Sequence, residues 1–264
     1  MDAGLKDARV LITGASGGIG QAAARAFSHE GARLALHCFS RPGAIEALRK
    51  DISTPCVSLP ADLRDEVAVA AMFEHAIAAL GRVDHLVVNA GIWNPRPVAL
   101  NEMSLQQWHE TIEADLTSAF LTCRAFLRHL AKIRRESASI VLVGSTAALF
   151  GEADHADYAA AKAAMTYGLT RSLKNEIIRL APRGRVNCVC PGWTDTPMAA
   201  MYTSDDAAVR RATATMALKK IAAAEDIARA VVFLSSEALA GHVSGTVLPV
   251  AGGMEGRLLH EPAC

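Results

Sequence analysis

A short apolar run, Ala8-Arg9-Val10-Leu11-Ile12-Thr13, passes directly into Gly14-Ala15-Ser16-Gly17-Gly18-Ile19-Gly20 and then into a stretch of helical composition from Gln21 to His29. A strand, a glycine turn and a helix in that order constrain the fold more than any other feature of the chain. Glycines let the backbone turn tightly and approach a bound group, and the N-terminus of the following helix favours an anion such as a pyrophosphate. A glycine-rich turn by itself also serves as an ordinary loop, so its meaning depends on the rest of the chain. There the same rhythm continues. Strands are expected near residues 8–13, 33–38, 55–59, 83–88, 139–144, 185–190 and 245–249, and helices near 18–29, 43–51, 65–80, 104–133, 157–180 and 224–236. With no internal repeat or low-complexity linker, this alternation predicts an α/β fold: a doubly wound parallel sheet of about seven strands, helices on both faces and right-handed crossovers.

Composition sets limits on what such a sheet can serve. With 264 residues and 51% apolar content the chain can bury one large core, and a single domain over 1–264 is expected. Lys and Arg number 27, as do Asp and Glu, so the formal net charge is zero and no broad attraction to nucleic acid or a membrane surface is implied. The short basic run Lys132-Ile133-Arg134-Arg135 reads as a solvated helix end. Met1 to Lys6 lacks an apolar signal region and no apolar stretch nears the roughly 20 residues of a membrane helix, so a cytoplasmic location is expected. Cys38, Cys56, Cys123, Cys188, Cys190 and Cys264 include no Cys-x-x-Cys pair and no matching histidine spacing, so no metal site is expected. Cys188 and Cys190 alternate with Asn187 and Val189 on a central strand, where cysteine acts as a small buried apolar residue.

In doubly wound sheets ligands bind beyond the carboxyl ends of the strands. Gly14, Asn89, Ser145 and Pro191 all fall just past predicted strand ends, so one crevice can collect them. Tyr158 and Lys162 stand four apart in Tyr-Ala-Ala-Ala-Lys and share a helix face, and Ser145 lies thirteen residues before the tyrosine. A phenol has an ordinary pKa of about 10, which a neighbouring ammonium lowers. So tuned, Tyr158 becomes a usable general acid/base. A Tyr-Lys pair alone is equally the surface of an Ala-rich helix; the glycine turn is what gives it chemical meaning.

Together these residues resemble the short-chain dehydrogenase/reductase family, and the resemblance covers nearly the whole chain. It rests on Thr13 to Gly20, on Ser145, Tyr158 and Lys162, and on Asp62-Leu63, Val88-Asn89-Ala90-Gly91, Pro191-Gly192 and Gly252-Gly253, in the family's order. It implies a Rossmann-like fold and an oxidoreductase moving hydride between a nicotinamide cofactor and a carbonyl or secondary alcohol. In that reading Ser145 hydrogen-bonds the substrate oxygen, Tyr158 protonates it, and Lys162 binds the nicotinamide ribose and lowers the tyrosine pKa. Gly14, Ser16, Gly18, Ile19 and Gly20 hold the pyrophosphate, and Asp62 and Leu63 frame the adenine. Asn89, Ala90 and Gly91 pack by the adenosine ribose, Val88 replacing the family's usual first asparagine. Pro191, Gly192, Thr194 and Thr196 resemble the segment holding the carboxamide, Trp193 and Thr194 also serving as substrate-side wall or packing.

Cofactor choice falls at the end of the second strand, where NAD-specific relatives place an acid and this chain has Cys38. Ser40 and Arg41 follow and could hydrogen-bond a 2′-phosphate, so NADP(H) is expected over NAD(H). Against this, Gly17 stands where many NADP-dependent relatives carry a basic residue. A family asparagine whose backbone carbonyl holds a water near the lysine is replaced by Asp115, which either opposes phenolate formation at Tyr158 or points away into a helix interface. The variable substrate lid is expected over 193–215, with Met198, Met201 and Met216 near an adaptable pocket. The family assembles as dimers and tetramers, here through the helices at 104–133 and 157–180, and a homotetramer or homodimer is expected. The leading substrate is a 3-oxoacyl thioester on an acidic carrier protein, met by Arg179 and Lys132 to Arg135. A small ketone, sugar or polyol is the alternative, and a catalytically inactive cofactor-binding regulator is the reading from another class.

Overall fold

The computed structural model describes residues 2–200 and 205–258; Met201 and Cys264 lie outside the described residues. Six strands, β1 (Arg9–Ile12), β2 (Arg33–Cys38), β3 (Cys56–Pro60), β4 (His85–Val88), β5 (Ser139–Val143) and β6 (Arg185–Pro191), form one sheet with a strand near the C-terminus, Val247–Val250. All pairings are parallel, and the order from edge to edge is β3, β2, β1, β4, β5, β6 and the C-terminal strand. Strand order reverses between β1 and β4. At this switch point chain connections leave in opposite directions and open a crevice.

Near-continuous apolar strands are what a sheet covered on both faces demands. Leu11, Leu86, Val88, Ile140, Leu142 and Cys188 point to one face, under helices α3 (Glu66–Leu80), α5 (Ser118–Ile133) and α8 (Thr170–Ile177). Val10, Ile12, Leu34, Leu36, Val141 and Val189 point to the other, under α1 (Gly18–His29) and α2 (Pro42–Asp51). Each fully buried leucine or isoleucine among them stabilises the fold by about 1.5–3 kcal/mol. Asp65 begins α3 by accepting from the backbone of Val67 (2.7 Å) and Ala68 (3.3 Å), and Gly81, at φ 82°, ends it.

The two long helical patterns of the sequence are not continuous α-helices. The first is α4 (Leu105–Thr111), one π-helical turn at Ile112–Thr117, then α5; the second is α7 (Ala156–Ala163), a π-helical turn at Ala164–Leu169, then α8. A wide turn shifts the following side chains around the axis, and a 3.6-residue hydrophobic pattern does not reveal it. Ser118 Oγ donates to the Ala114 carbonyl (2.6 Å) and Thr170 Oγ1 to that of Met165 (3.0 Å), tying polar groups within these turns. Between α5 and α7 lies the short helix α6 (Ala147–Phe150).

The expected lid has structure of its own. Strand β7 (Thr194–Asp195) pairs with β8 (Ala222–Ala223), and between them stands α9 (Asp206–Thr213). After β8 come α10 (Ala224–Ser235), α11 (Glu237–Ala240) and the last strand, β9 (Val247–Val250). Buried Arg185 ties this segment to β6 by donating to the carbonyls of Leu234 (2.6 Å), Ser235 (2.7 Å) and Ala240 (3.1 Å). No helix among the described residues is long and apolar enough to cross a membrane.

The approach of the second π-helical turn to the sheet is set by a glycine. A Cβ at Gly144 would lie 2.6 Å from Thr166 Oγ1 and 2.9 Å from the sulfurs of Cys188 and Cys190. Gly144→Ala is therefore expected to cost on the order of 1–3 kcal/mol in urea unfolding by overpacking, and to displace Ser145 next to it. An unchanged unfolding midpoint would mean that the contact is loose.

Candidate functional site

A cleft of about 1000 Å³ runs along the carboxyl ends of β1 to β6. It starts at the glycine turn. Gly14 has φ 64°, and a Cβ there would sit 2.8 Å from Ala90 Cα, so only glycine fits. Thr13 Oγ1 accepts from the backbone of Asn89 (2.9 Å) and Ala90 (3.0 Å), while Asn89 Nδ2 donates to the carbonyls of Thr13 and Gly14 (3.1 Å each). Helix α1 has Gly17 at its N-cap and no side-chain cap, which leaves its first-turn N–H groups for an anion. These features fit the pyrophosphate of a dinucleotide.

Gly14, Ser16, Gly18, Ile19, Ser40, Arg41, Asp62 and Leu63 line the cleft, as do Asn89, Ala90, Gly91, Pro191, Gly192, Thr194 and Thr196. Gly20 does not. A side chain there would collide with the Gly14 carbonyl, so Gly20 serves the close packing of α1 against the turn. Cys38, at the position where NAD-specific relatives place an acid, is fully buried and packs in the core with Leu34, Leu36 and Ile45, while Phe39 lines the cleft. Strand alternation turns position 38 inward. Of the methionines expected near the pocket, Met198 lines it and Met216 is buried outside it.

Two residues at the adenine end were not legible from motifs. His37 Nδ1 accepts from the Gly14 N–H (3.0 Å) and its other ring nitrogen faces the Ala61 carbonyl (3.0 Å), so the ring props the glycine turn from below. Burial lowers its pKa against the opposing pull of that carbonyl and of Asp62. Arg64 binds both oxygens of Asp62, at 2.7 and 2.9 Å, and lies over the Phe39 ring at 5.5 Å. This pairing holds the Asp62 pKa below its ordinary value.

Ser145, Tyr158 and Lys162 converge on the cleft from the end of β5 and from α7. Lys162 Nζ donates to the Val143 carbonyl (3.3 Å) and lies 3.4 Å from Asp115 Oδ2 and 5.6 Å from the centre of the Tyr158 ring. Asp115, at the first π-helical turn, points toward the lysine, and its Oδ1 accepts from the Ile92 N–H (2.7 Å). A Cβ on Gly91 would crowd both carboxylate oxygens and the ammonium at 3.1 Å, so Gly91 leaves room for the pair. Burial raises the Asp115 pKa, with Lys162 and the Ile92 N–H pulling against it; burial lowers that of Lys162 but Asp115 and Tyr158 outweigh it, and the net shift is upward.

Tyr158 departs from the sequence expectation. Lys162 and a hydrogen bond with Ser145 do pull its pKa down, but burial pushes harder in the other direction, aided by the negative charges of Asp115 and Glu152, and the phenol ends above its ordinary value. Buried Asp157 fixes the start of α7 beside it, accepting from Thr111 Oγ1 (2.7 Å), Gln107 Nε2 (3.2 Å) and the Tyr158 N–H (2.9 Å).

Beyond this centre the wall is aromatic and carries the Glu152 carboxylate. Trp93 stacks on His155 at 4.8 Å between ring centroids and meets Trp193 edge-on at 6.4 Å. Trp93 Nε1 donates to Glu152 Oε1 (3.1 Å) and His155 Nδ1 lies 3.5 Å from the same oxygen. Trp93, Glu152, Phe150 and Trp193 all line the cleft. Neither Trp93 nor Glu152 belongs to a motif, and only the packing of two loops brings them together.

The electrostatics predict a pH effect. Asp115→Asn removes a charge that raises the Tyr158 pKa, so that pKa should fall. Carbonyl reduction needs the protonated phenol, so its alkaline loss of rate should move to lower pH; alcohol oxidation needs the phenolate, and its rise should move to lower pH too. An unmoved pH–rate profile would place the Asp115 charge outside the proton network.

The family described as enoyl-(acyl carrier protein) reductase matches residues 14–255. The cis-4-hydroxycyclohexanecarboxylate dehydrogenase of Sinomonas cyclohexanicum is 38% identical over 250 residues, covering 92% of this chain and 94% of that protein. The 3-oxoacyl-[acyl-carrier-protein] reductase of Escherichia coli K12 is 34% identical, covering 92% and 96%. The crystal structure of levodione reductase superposes with a TM-score of 0.87 at 29% identity, covering 94% of this chain and 98% of that one. With the glycine turn, the parallel sheet and the Ser145-Tyr158-Lys162 cluster, these likenesses establish that the chain belongs to the short-chain dehydrogenase/reductase family and is an oxidoreductase of CH–OH and C=O groups.

Proposed function

We propose that this oxidoreductase, one catalytic domain over 1–264 with a substrate lid near 193–215, reduces a compact ketone to a secondary alcohol with NADP(H). The observation that carries this reading is the meeting of Ser145, Tyr158 and Lys162 in the cleft that begins at the glycine turn. Ser145 donates a hydrogen bond to the substrate carbonyl oxygen, and Tyr158 delivers the proton that oxygen takes up. Lys162 offsets the negative charge developing at the phenol and holds the nicotinamide ribose, and Asp115 holds Lys162 as an ammonium. The cofactor supplies hydride to the carbonyl carbon when bound. Tyr158 keeps its proton at neutral pH, as an acid that protonates the substrate oxygen must.

For the 2′-phosphate the chain offers Ser40 and Arg41 at the tip of β2 and Arg64 at the tip of β3, all on the cleft, with Asp62 neutralised by Arg64. A ketone of modest size is favoured by the indole walls. The 3-oxoacyl thioester reading keeps two supports, the 34% identity to the Escherichia coli reductase and exposed Arg179 as a contact for an acidic carrier. Exposed Phe120 and Tyr167, each beneath an arginine, give α5 and the second π-helical turn surfaces for a homotetramer or homodimer.

Tyr158→Phe keeps the ring and removes the proton donor. Reduction of a panel of ketones, diketones and acetoacetyl thioesters should fall by about 10²-fold or more while cofactor binding persists; retained turnover would dismiss Tyr158 as the acid. The wild-type ranking in that panel separates ketone from thioester, and no turnover at all would favour the regulatory reading. Arg41→Ala should weaken NADPH binding by about 10-fold and leave NADH nearly unaffected, from the loss of one charge-assisted bond. Tighter binding of NADH by the wild type would reverse the cofactor assignment.

A further inference from the structure

The cleft distributes its charges unevenly. Its lining cations are Arg41, Arg64 and Lys162. The first two stand at the tips of β2 and β3, whereas Ser145 follows β5, and three strand spacings of about 4.8 Å separate β2 from β5. Lys162 is buried and paired with Asp115. Of the acids at the substrate end, Glu255 is bound by Arg257 at 2.7 Å. Glu152 is different. Its Oε1 takes the Trp93 N–H and faces His155, while Oε2 has no donor among the described residues.

Glu152 is also held in place. It follows Gly151, which ends α6 at φ 77°, and precedes His155, whose Nε2 lies 2.9 Å from the Asn94 carbonyl and whose ring lies flat on Trp93. The loop after β4 and the loop before α7 therefore clamp each other, and the carboxylate sits in their joint between indole walls. The carboxylate is partly exposed on the cleft, and its Oε2, with no donor among the described residues, is open to accept one from a ligand there.

We propose that Glu152 is the substrate-selecting residue of this site: it accepts a hydrogen bond from a hydroxyl or ammonium group on the substrate and rejects a substrate carrying a carboxylate. This deepens the ketone-reductase reading and rests on it. The substrate class is thus an apolar, ring-sized ketone, or the corresponding secondary alcohol, with a hydrogen-bond donor remote from the reacting carbon. Burial already raises the Glu152 pKa, in keeping with a carboxylate that gains from an incoming donor.

The test is a matched series assayed by kcat/KM with NADPH and NADH: cyclohexanone, its 3- and 4-hydroxy and 3- and 4-amino derivatives, and 3- and 4-oxocyclohexanecarboxylate. Wild type should favour the better hydroxy or amino ketone over the matching carboxylate by 10-fold or more, mainly through KM. Glu152→Gln, which keeps shape and removes charge, should shrink that ratio by 10-fold or more, more steeply for amine than for hydroxyl. If the amine alone responds, the donor is cationic; if both respond, any donor serves; either supports the proposal. A wild type that turns over the carboxylate as well as the donor-bearing ketones overturns it, as does a ratio unchanged in Glu152→Gln. Turnover of cyclohexanone with no donor preference sinks this proposal alone, whereas no ketone turnover with either cofactor sinks the underlying reading as well.

Discussion

The chain's site depends on one junction, the hydrogen bonds by which Thr13 and Asn89 join β1 to the loop after β4. Here the order of the parallel sheet reverses and connections depart to opposite sides, so past the end of the β1–β4 backbone ladder these side chains fix the loop after β4 against the glycine turn. Thr13 Oγ1 accepts two backbone N–H groups and Asn89 returns two bonds to backbone carbonyls, satisfying groups that would otherwise be unpaired at the floor of the cleft. His37 adds support from β2 through Gly14. The glycine turn is thus held on three sides before any ligand arrives, the preorganisation that anion binding requires.

The second organising element is electrostatic. Lys162 and Asp115 are both almost fully buried, and removing one partner of such a pair costs about 3–5 kcal/mol because the other charge is left uncompensated. The pair therefore stabilises less than it specifies: it holds an ammonium beside the phenol at a fixed height. The π-helical turns matter here. One carries Asp115 and the other brings Thr166 against Cys188 and Cys190, so the two wide turns set how α4–α5 and α7–α8 meet the end of β5. Tyr158 reflects the balance, since burial and two carboxylates outweigh one ammonium and one hydroxyl.

Much of this was legible before any coordinates. Periods of strand and helix, the glycines of the first turn and the spacing of Ser145, Tyr158 and Lys162 are local properties, and they led to the sheet, the crevice and the residues that meet there. Local patterns also misled. Cys38 ends β2 at the position that bears on cofactor choice, yet alternation turns it into the core and leaves Phe39 on the cleft; the pull of Lys162 on Tyr158 follows from spacing, yet the opposing effect of burial does not.

What the sequence determined by itself was the α/β order, the single crevice and the chemistry gathered in it, because hydrophobic period and backbone freedom act over a few residues. Tertiary structure alone decided the direction of Asp115, the bridge from Arg64 to Asp62, and the clamp of Trp93, Glu152 and His155. Those depend on which loops pack together and how far each group is removed from water. Burial and the meeting of residues distant in the chain are properties of the assembled core, and no window of sequence contains them.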